Sequence, residues 1–377
     1  MNSQSNLKKL QEEGLYRELK SIESIRGKNI SINGKNYINF TSNDYLGLGQ
    51  LEFNIQDFSE FMNIYSPNLS SSRLVSGNSI IYEDLEYAIS NWLNFKDCLI
   101  LNSGYDANLS LFNIFKNENI LVFSDQKNHA SIIDGIKLSG LKKIIYNHLD
   151  YKNLEENLAC HSNKDAQKLI VSDSIFSTNG NIVNMKKLVE LKDKYNAILL
   201  IDASHSLGLN IFENYQNVDI LTASLSKAWG AHGGIILSSD VIKKLMINQG
   251  RALIYSSSLP IYNLYFIREN LQYLLNANHR REKLTYLSDY FNNRFKVLFP
   301  DQMYSASLIK NITFNSLDTA KEVHDMLFEN GMFLSYLRYP TVKKPTLRIS
   351  LSYFHSEQDI DKLWNLINQY YQGEKDV

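Results

Sequence analysis

The sequence predicts an α/β protein: a large domain on a mostly parallel central sheet, followed by a smaller α+β domain. Two observations carry this. Between residues 97 and 239, short runs rich in Ile, Leu and Val alternate with amphipathic stretches, the pattern of strands buried on both faces and linked by crossover helices. Beyond about residue 260 the texture changes to long helical patterns and then to short strands. The length of 377 residues is also too great for one small core.

Taken in order, "DCLILNSG" (97–104) reads as a buried strand ending in a Ser-Gly turn, and "NILVFSD" (119–125) as the next strand. "KLIVSDS" (168–174), "NAILLIDASHS" (196–206), "VDILTAS" (218–224) and "GGIILSS" (233–239) continue the series. "MKKLVELKDKY" (185–195) places apolar residues at helical spacing between two of them. Residues 259–299 read as long helices. Strands are expected in "LIKNITFN" (308–315), "MFLSYLRYP" (332–340) and "TLRISLS" (346–352), with a helix over "AKEVHDMLFENG" (320–331) and another from about 356. The division expected is 1–45 for an N-terminal helix and short strand segment, 46–265 for the large domain and 266–377 for the small one.

Composition narrows the function classes. The net charge is −1, from 39 basic and 40 acidic residues. Such balance supplies no field for nucleic acid or an anionic membrane. The two cysteines, Cys98 and Cys160, form no framework and no CxxC pair. The first residues are polar, and no apolar run reaches the ~18–20 residues of a membrane span. These features predict a cytoplasmic protein.

The polar residues gather where the predicted strands end. Ser103–Gly104, Asp125 to His129, Asp173 to Ser177, Asp202 to His205 and Ser224 to Lys227 each follow an apolar run. In open parallel sheets, ligands bind beyond the carboxyl ends of the strands. Lys227, in "ASLSKAWGAHGG" (223–234), stands among hydroxyls and small residues. Alone it reads as a solvated loop lysine. Asp202 alone reads equally as a helix cap, a solvated carboxylate or the partner of a buried cation. Together, a lysine that bonds the cofactor aldehyde and an Asp at the pyridinium nitrogen match the pairing that holds pyridoxal phosphate.

"NSGYDAN" (102–108) offers helix-start amides for a phosphate, and Ser224, Ser226 and "IYSSSLP" (254–260) add hydroxyls. Neither GxGxxG after the first strand nor GxxxxGK[ST] occurs, so those two nucleotide-binding designs lose support. His129 and His205 could stack on a ring or donate to its phenolic oxygen, or be ordinary satisfied histidines. A metal would need at least three ligands at sensible spacing, and "DASH" offers two, so no metal site is expected.

A series of segments in fixed order resembles the α-oxoamine synthases, pyridoxal-phosphate enzymes of the fold type I transferases. They are "NFTSNDYLGL" (39–48), "SSSRLVSGNSIIYEDLE" (70–86), "LNSGYDAN" (101–108), "NHASIIDG" (128–135), "DSIFSTNGN" (173–181), "IDASHSLG" (201–208), "SLSKAWGAHGG" (224–234), "YSSSLP" (255–260) and "LRYPTVKKPTLRISLS" (337–352). The resemblance implies roles. Lys227 would hold pyridoxal phosphate and move the α-proton. Asp202 would pair with the ring nitrogen, His205 and Ser177 would meet the phenolic oxygen, and His129 would stack on the ring. Gly104, Tyr105 and Ser224 would hold the phosphate, with Ser257 reaching it in a neighbouring subunit of a homodimer. Arg348 would bind the amino-acid carboxylate near Asn43, with Arg17 and Thr341 also at substrate.

Within the family, the segments match best the branch that condenses L-alanine with a pimeloyl thioester, carried on CoA or on a carrier protein. A branch using glycine and acetyl-CoA is the runner-up, the 5-aminolevulinate and sphingolipid-base branches stand behind it, and a pyridoxal-phosphate-binding regulator is the alternative that is not an enzyme. The sequence also departs from the family. "DASH" lacks the usual second acid, Ser224 replaces a Thr, Tyr82 stands where His is common, and Asp173 replaces a Glu.

Overall fold

The computed structural model describes residues 3–13, 15–162, 165–212 and 215–373. The chain divides into two compact units, one of residues 43–283 and one combining 1–42 with 284–377.

The larger unit is built on a seven-stranded sheet. Its strands are β1 (Asp97–Leu101), β2 (Ile120–Asp125), β3 (Lys142–Tyr146), β4 (Gln167–Asp173), β5 (Ala197–Asp202), β6 (Ile220–Ser224) and β7 (Gly234–Ser238). Their spatial order is β1-β7-β6-β5-β4-β2-β3. From β3 to β6 every pairing is parallel, while β7 runs antiparallel to both β6 and β1. The first six strands therefore point their carboxyl ends at the same edge. The expected strands all form, and β7 is the reversed member of a mostly parallel sheet.

Burial explains why these strands were readable. Nearly every residue of β1, β2, β4, β6 and β7 is buried. Helices Gly104–Ile114 and Ala130–Ser139 pack Ala107, Leu111, Phe112, Ile132 and Ile136 onto Val122, Val171 and Leu200. The edge strand β3 was not expected. It opens with Lys142 and Lys143 and is largely exposed, so its sequence carries no buried-strand signal, and its charges suit an edge. Helix Ile261–Leu275 belongs to the larger unit. The Trp229 indole donates to the Ile267 carbonyl at 3.1 Å and Asn270 Nδ2 to the Trp229 carbonyl at 2.9 Å. The larger unit thus runs past residue 265.

In the smaller unit, strands from both ends of the chain share a sheet. Ser24–Arg26, Asn29–Ile32 and Lys35–Asn39 form an antiparallel meander, and Met332–Phe333 adds in parallel to Lys35–Asn39. A second sheet pairs Ile309–Thr313 and Ser335–Leu337 with Thr346–Ser350, all antiparallel. Helices Leu317–Glu329 and Glu357–Gly373 complete the α+β arrangement.

Candidate active site

Asp202 ends β5. Its register partners are Asp173 on β4 and Thr222 on β6. The Asp202 carboxylate is buried, with 5% of the residue exposed, a placement that costs free energy unless it is hydrogen-bonded. Oδ2 accepts from Asn108 Nδ2 at 2.7 Å and Oδ1 from the Ser204 amide at 2.9 Å. These bonds fill two of the roughly four acceptor positions of a carboxylate, which leaves room for a further donor. Beside it, burial first and the Asp202 carboxylate second push the Asp173 carboxyl well above its usual range.

The end of β6 is tied to the same carboxylate. The Ser224 amide donates to Ser204 Oγ at 2.9 Å, and Ser224 Oγ lies 2.8 Å from Ser226 Oγ. Opposite stands the start of helix Gly104–Ile114. Its cap, Ser103 Oγ, accepts from the Asp106 amide at 3.0 Å. The earlier helix amides, those of Gly104 and Tyr105, are of the kind a helix start leaves for a ligand. A Cβ on Gly104 would lie 2.8 Å from the Ser224 Cβ, so glycine is what lets this helix start approach the Ser224 hydroxyl. The result is a cradle of amides and hydroxyls suited to an anion.

Lys227 follows β6 in a turn whose neighbours are anchored. Leu225, Ala228 and Trp229 are buried, whereas Lys227 is half-buried. The Gly230 amide donates to the Lys227 carbonyl at 2.9 Å, and the Ala231 amide to that of Leu225 at 3.0 Å. Gly230 has φ +67°, and a Cβ there would lie 2.1 Å from the Gly49 nitrogen. Only glycine meets both demands.

Two histidines stand at the same edge. His205 Nδ1 lies 2.7 Å from the hydroxyl of the buried Tyr45, which is 3.3 Å from Asn43 Oδ1. His129 caps helix Ala130–Ser139. Its Nδ1 accepts from the Ser131 amide at 3.3 Å and lies 2.8 Å from Ser131 Oγ. Ser177 is half-buried in the loop after β4, and that loop is held to β5 where the Ser174 amide donates to the Asp202 carbonyl at 2.8 Å. Ser257 is exposed, and its carbonyl accepts from Asn102 Nδ2 at 2.8 Å.

The structure therefore places Lys227, Asp202, His205, His129, Gly104, Tyr105, Ser177, Ser224, Ser257 and Asn43 in the larger unit. Arg348, Arg17 and Thr341 belong to the smaller one. Arg348 is buried in strand Thr346–Ser350 and donates to Ser350 Oγ at 2.8 Å. Arg17 and Thr341 are exposed, with 3.5 Å between Arg17 Nη2 and Thr341 Oγ1. Four site-linked residues escaped the sequence analysis: Tyr45, Asn108, Ser131 and Thr222. Each lies inside a segment quoted there, but only its burial marks it out. Among the described residues, no group of three or more His, Cys, Asp or Glu side chains could hold a metal ion.

A profile of the family described as aminotransferase class I and II matches residues 35–367. The chain belongs to that family. It is an enzyme of the pyridoxal-phosphate-dependent kind, and the buried Asp202, the anion cradle and the accessible Lys227 fit that cofactor. An 8-amino-7-oxononanoate synthase of Petrotoga mobilis is 32% identical over 94% of this chain and 93% of its own length. The 8-amino-7-oxononanoate synthase of Francisella tularensis superposes with a TM-score of 0.76 at 27% identity, covering 90% of this chain and 99% of the other. A serine palmitoyltransferase of S. paucimobilis reaches a TM-score of 0.90 over 100% and 98% of the two chains, at 20% identity. That last likeness shows the shared fold alone; with the family match and the 27%-identical synthase, the arrangement is that of the fold type I enzymes. Among the described residues, no helix is long and apolar enough to cross a membrane.

Proposed function

We propose that the chain condenses L-alanine with a pimeloyl thioester, on CoA or on a carrier protein, releasing 8-amino-7-oxononanoate, CO2 and the free thiol. The observation that carries this reading is the placement of Lys227 and the buried Asp202 beyond adjacent parallel strands, beside an amide and hydroxyl cradle. The relatives named for this reaction support the choice of substrates.

Bound pyridoxal phosphate supplies an electron sink for the carbanion at the amino acid's α-carbon. Lys227 Nζ would hold the cofactor aldehyde and, once the substrate amino group takes its place there and frees it, would be the amine that accepts the α-proton and returns one to the product carbon. Asp202 would keep the ring nitrogen protonated. The amides of Gly104 and Tyr105 and the Ser224 hydroxyl bind the phosphate. Ser257 serves the phosphate of a second copy. His205 and Ser177 would donate to the phenolic oxygen, and the His129 imidazole would serve the ring face. Arg348 would bind the substrate carboxylate as a planar pair of donors, and Asn43 would also serve the substrate. Arg17 and Thr341 contact the acyl substrate.

The second copy in this reading is a homodimer partner, and the protein is cytoplasmic. Dimerisation is supported by apolar side chains left exposed near Ser257. Leu74, Val75 and Tyr255 are 49, 81 and 72% exposed, and the Ser258 amide donates to the Ser71 carbonyl at 2.8 Å, drawing these segments together.

The test supplies the purified protein and pyridoxal phosphate with L-alanine, glycine or L-serine against pimeloyl-CoA and acetyl-CoA, and detects products by mass. The expected result is 8-amino-7-oxononanoate from L-alanine and pimeloyl-CoA. Turnover of glycine with acetyl-CoA alone would move the chain to the runner-up reaction.

A further inference from the structure

A continuous chain of hydrogen bonds joins Asp202 to His129 through residues that carry no assigned role. Asn108 stands at its centre, 1% exposed on the buried side of helix Gly104–Ile114. Thr222 Oγ1 donates to Asn108 Oδ1 at 2.7 Å. Asn108 Nδ2 donates to Asp202 Oδ2 at 2.7 Å and to Ser131 Oγ at 2.9 Å. Ser131 Oγ lies 2.8 Å from His129 Nδ1. Thr222 and Ser131 are as buried as the amide between them.

Donor and acceptor rules fix the direction of every link. The Asp202 carboxylate can only accept, so the amide nitrogen of Asn108 faces it, and the amide oxygen turned toward Thr222 takes the hydrogen of a hydroxyl that could otherwise donate or accept. Both amide hydrogens are then spent, one on a carboxylate that can only accept. Ser131 Oγ receives the other, so its own hydrogen is left to point at His129. The Ser131 backbone amide also faces His129 Nδ1, at 3.3 Å, and an amide can only donate. Two donors meet one ring nitrogen, so that nitrogen carries a lone pair and the ring proton sits on Nε2.

We propose that Asn108 and Ser131 are positioning residues that lock Asp202 in orientation and hold His129 as the Nε2–H tautomer. The role rests on the reading that this site holds pyridoxal phosphate. Asn108 couples the carboxylate assigned to the ring nitrogen with the imidazole assigned to the ring face, through a buried path that solvent does not reach. Asp202 sets the polarity of that path, and Thr222 satisfies the amide oxygen it leaves. A side chain that only filled space would leave the tautomer of a histidine two links away unaffected.

Nitrogen NMR of the full-length protein, labelled at histidine and free of added cofactor, tests this, with the His129 signals assigned by their loss in His129→Gln. In alkaline buffer, where a free imidazole is neutral, the wild type should show a pyridine-type Nδ1 and a protonated Nε2. Ser131→Ala and Asn108→Ala should each shift His129 toward the tautomer mixture of a free ring. Should Asn108→Ala fail to fold, Asn108→Leu, close to the native side chain in shape, removes the same donor and should shift the same signals. A wild-type His129 with its proton on Nδ1 would overturn the proposal. So would a folded Asn108→Ala or Asn108→Leu with unchanged His129 signals. Pyridoxal phosphate binding, followed by absorbance, should weaken about tenfold in Asn108→Ala, as losing a hydrogen bond to a carboxylate implies. If the wild type binds no pyridoxal phosphate, the functional reading fails while the NMR still decides the relay.

Discussion

The hydroxyl of Tyr45 lies 2.7 Å from Nδ1 of His205. The phenol is fully buried and its oxygen is also 3.3 Å from Asn43 Oδ1. Tyr45 thus links a residue assigned to the cofactor with one assigned to the substrate. Tyr45→Phe keeps the packing and removes the link. The expected effect is a loss of up to about tenfold in turnover or cofactor affinity, the scale of one neutral hydrogen bond, with little change in thermal stability. Steady-state kinetics and calorimetry on the same preparation would check both halves.

Gly230 shapes the turn that presents Lys227. With φ +67° and the Gly49 backbone where a Cβ would sit, Gly230→Ala must move the chain. Stability should fall by more than about 1 kcal/mol, beyond the ordinary glycine-to-alanine effect. Cofactor binding should weaken with it, because Lys227 lies three residues away in the same turn. Urea unfolding and an absorbance titration with pyridoxal phosphate measure the two effects separately.

Glu86 anchors a buried charge cluster that includes none of the residues assigned to the site. It is 3% exposed, lies 2.6 Å from Arg73 Nη1 and 3.3 Å from Lys243 Nζ, and accepts the Ile100 amide at 2.8 Å. Arg73 in turn stacks over Tyr82 at 3.9 Å, and the Tyr82 hydroxyl accepts the Leu259 amide at 2.9 Å. Removing one member of a buried pair leaves the other uncompensated. Glu86→Ala should cost about 3–5 kcal/mol, read from the urea midpoint.

His355 should make stability pH-dependent. Its ring stacks on Phe40 with centroids 4.4 Å apart, Nδ1 accepts the Ser352 amide at 2.9 Å, and Nε2 is 3.1 Å from the Asn39 carbonyl. Burial pushes its pKa down from 6.5 to about 4. The unfolded chain then binds a proton that the folded one refuses. Stability is full above pH 6.5 and is lost as pH falls toward 4, by about 3 kcal/mol in all. Asp44, pushed up to about 6 by burial, titrates with the opposite sign over part of that range. The comparison is therefore between wild type and His355→Gln, whose stability difference should shrink across the window as pH falls.

The strands and the outer site were legible in the sequence for one reason. A parallel strand buried on both faces leaves an uninterrupted apolar run, and polar residues just beyond it have a known direction to point. Lys227, Asp202 and His205 could be found that way. The edge strand β3, with its two exposed lysines, left no such run. Asn108 was hidden for another reason. A polar residue on a helix reads as a surface residue until Thr222, Ser131 and Asp202 are seen around it, and those come from separate segments of the chain. The pairing of Lys35–Asn39 with Met332–Phe333 is likewise a contact between distant segments that no local pattern announces.

The central claim is that Lys227 is the amine that holds the cofactor. The protein would be loaded with pyridoxal phosphate, treated with borohydride to make any imine permanent, digested and mapped by mass spectrometry. The account predicts one reduced cofactor per chain, attached to the peptide that contains Lys227 and absent from Lys227→Ala. A label on another lysine, or no label at all on protein that binds the cofactor, would contradict it.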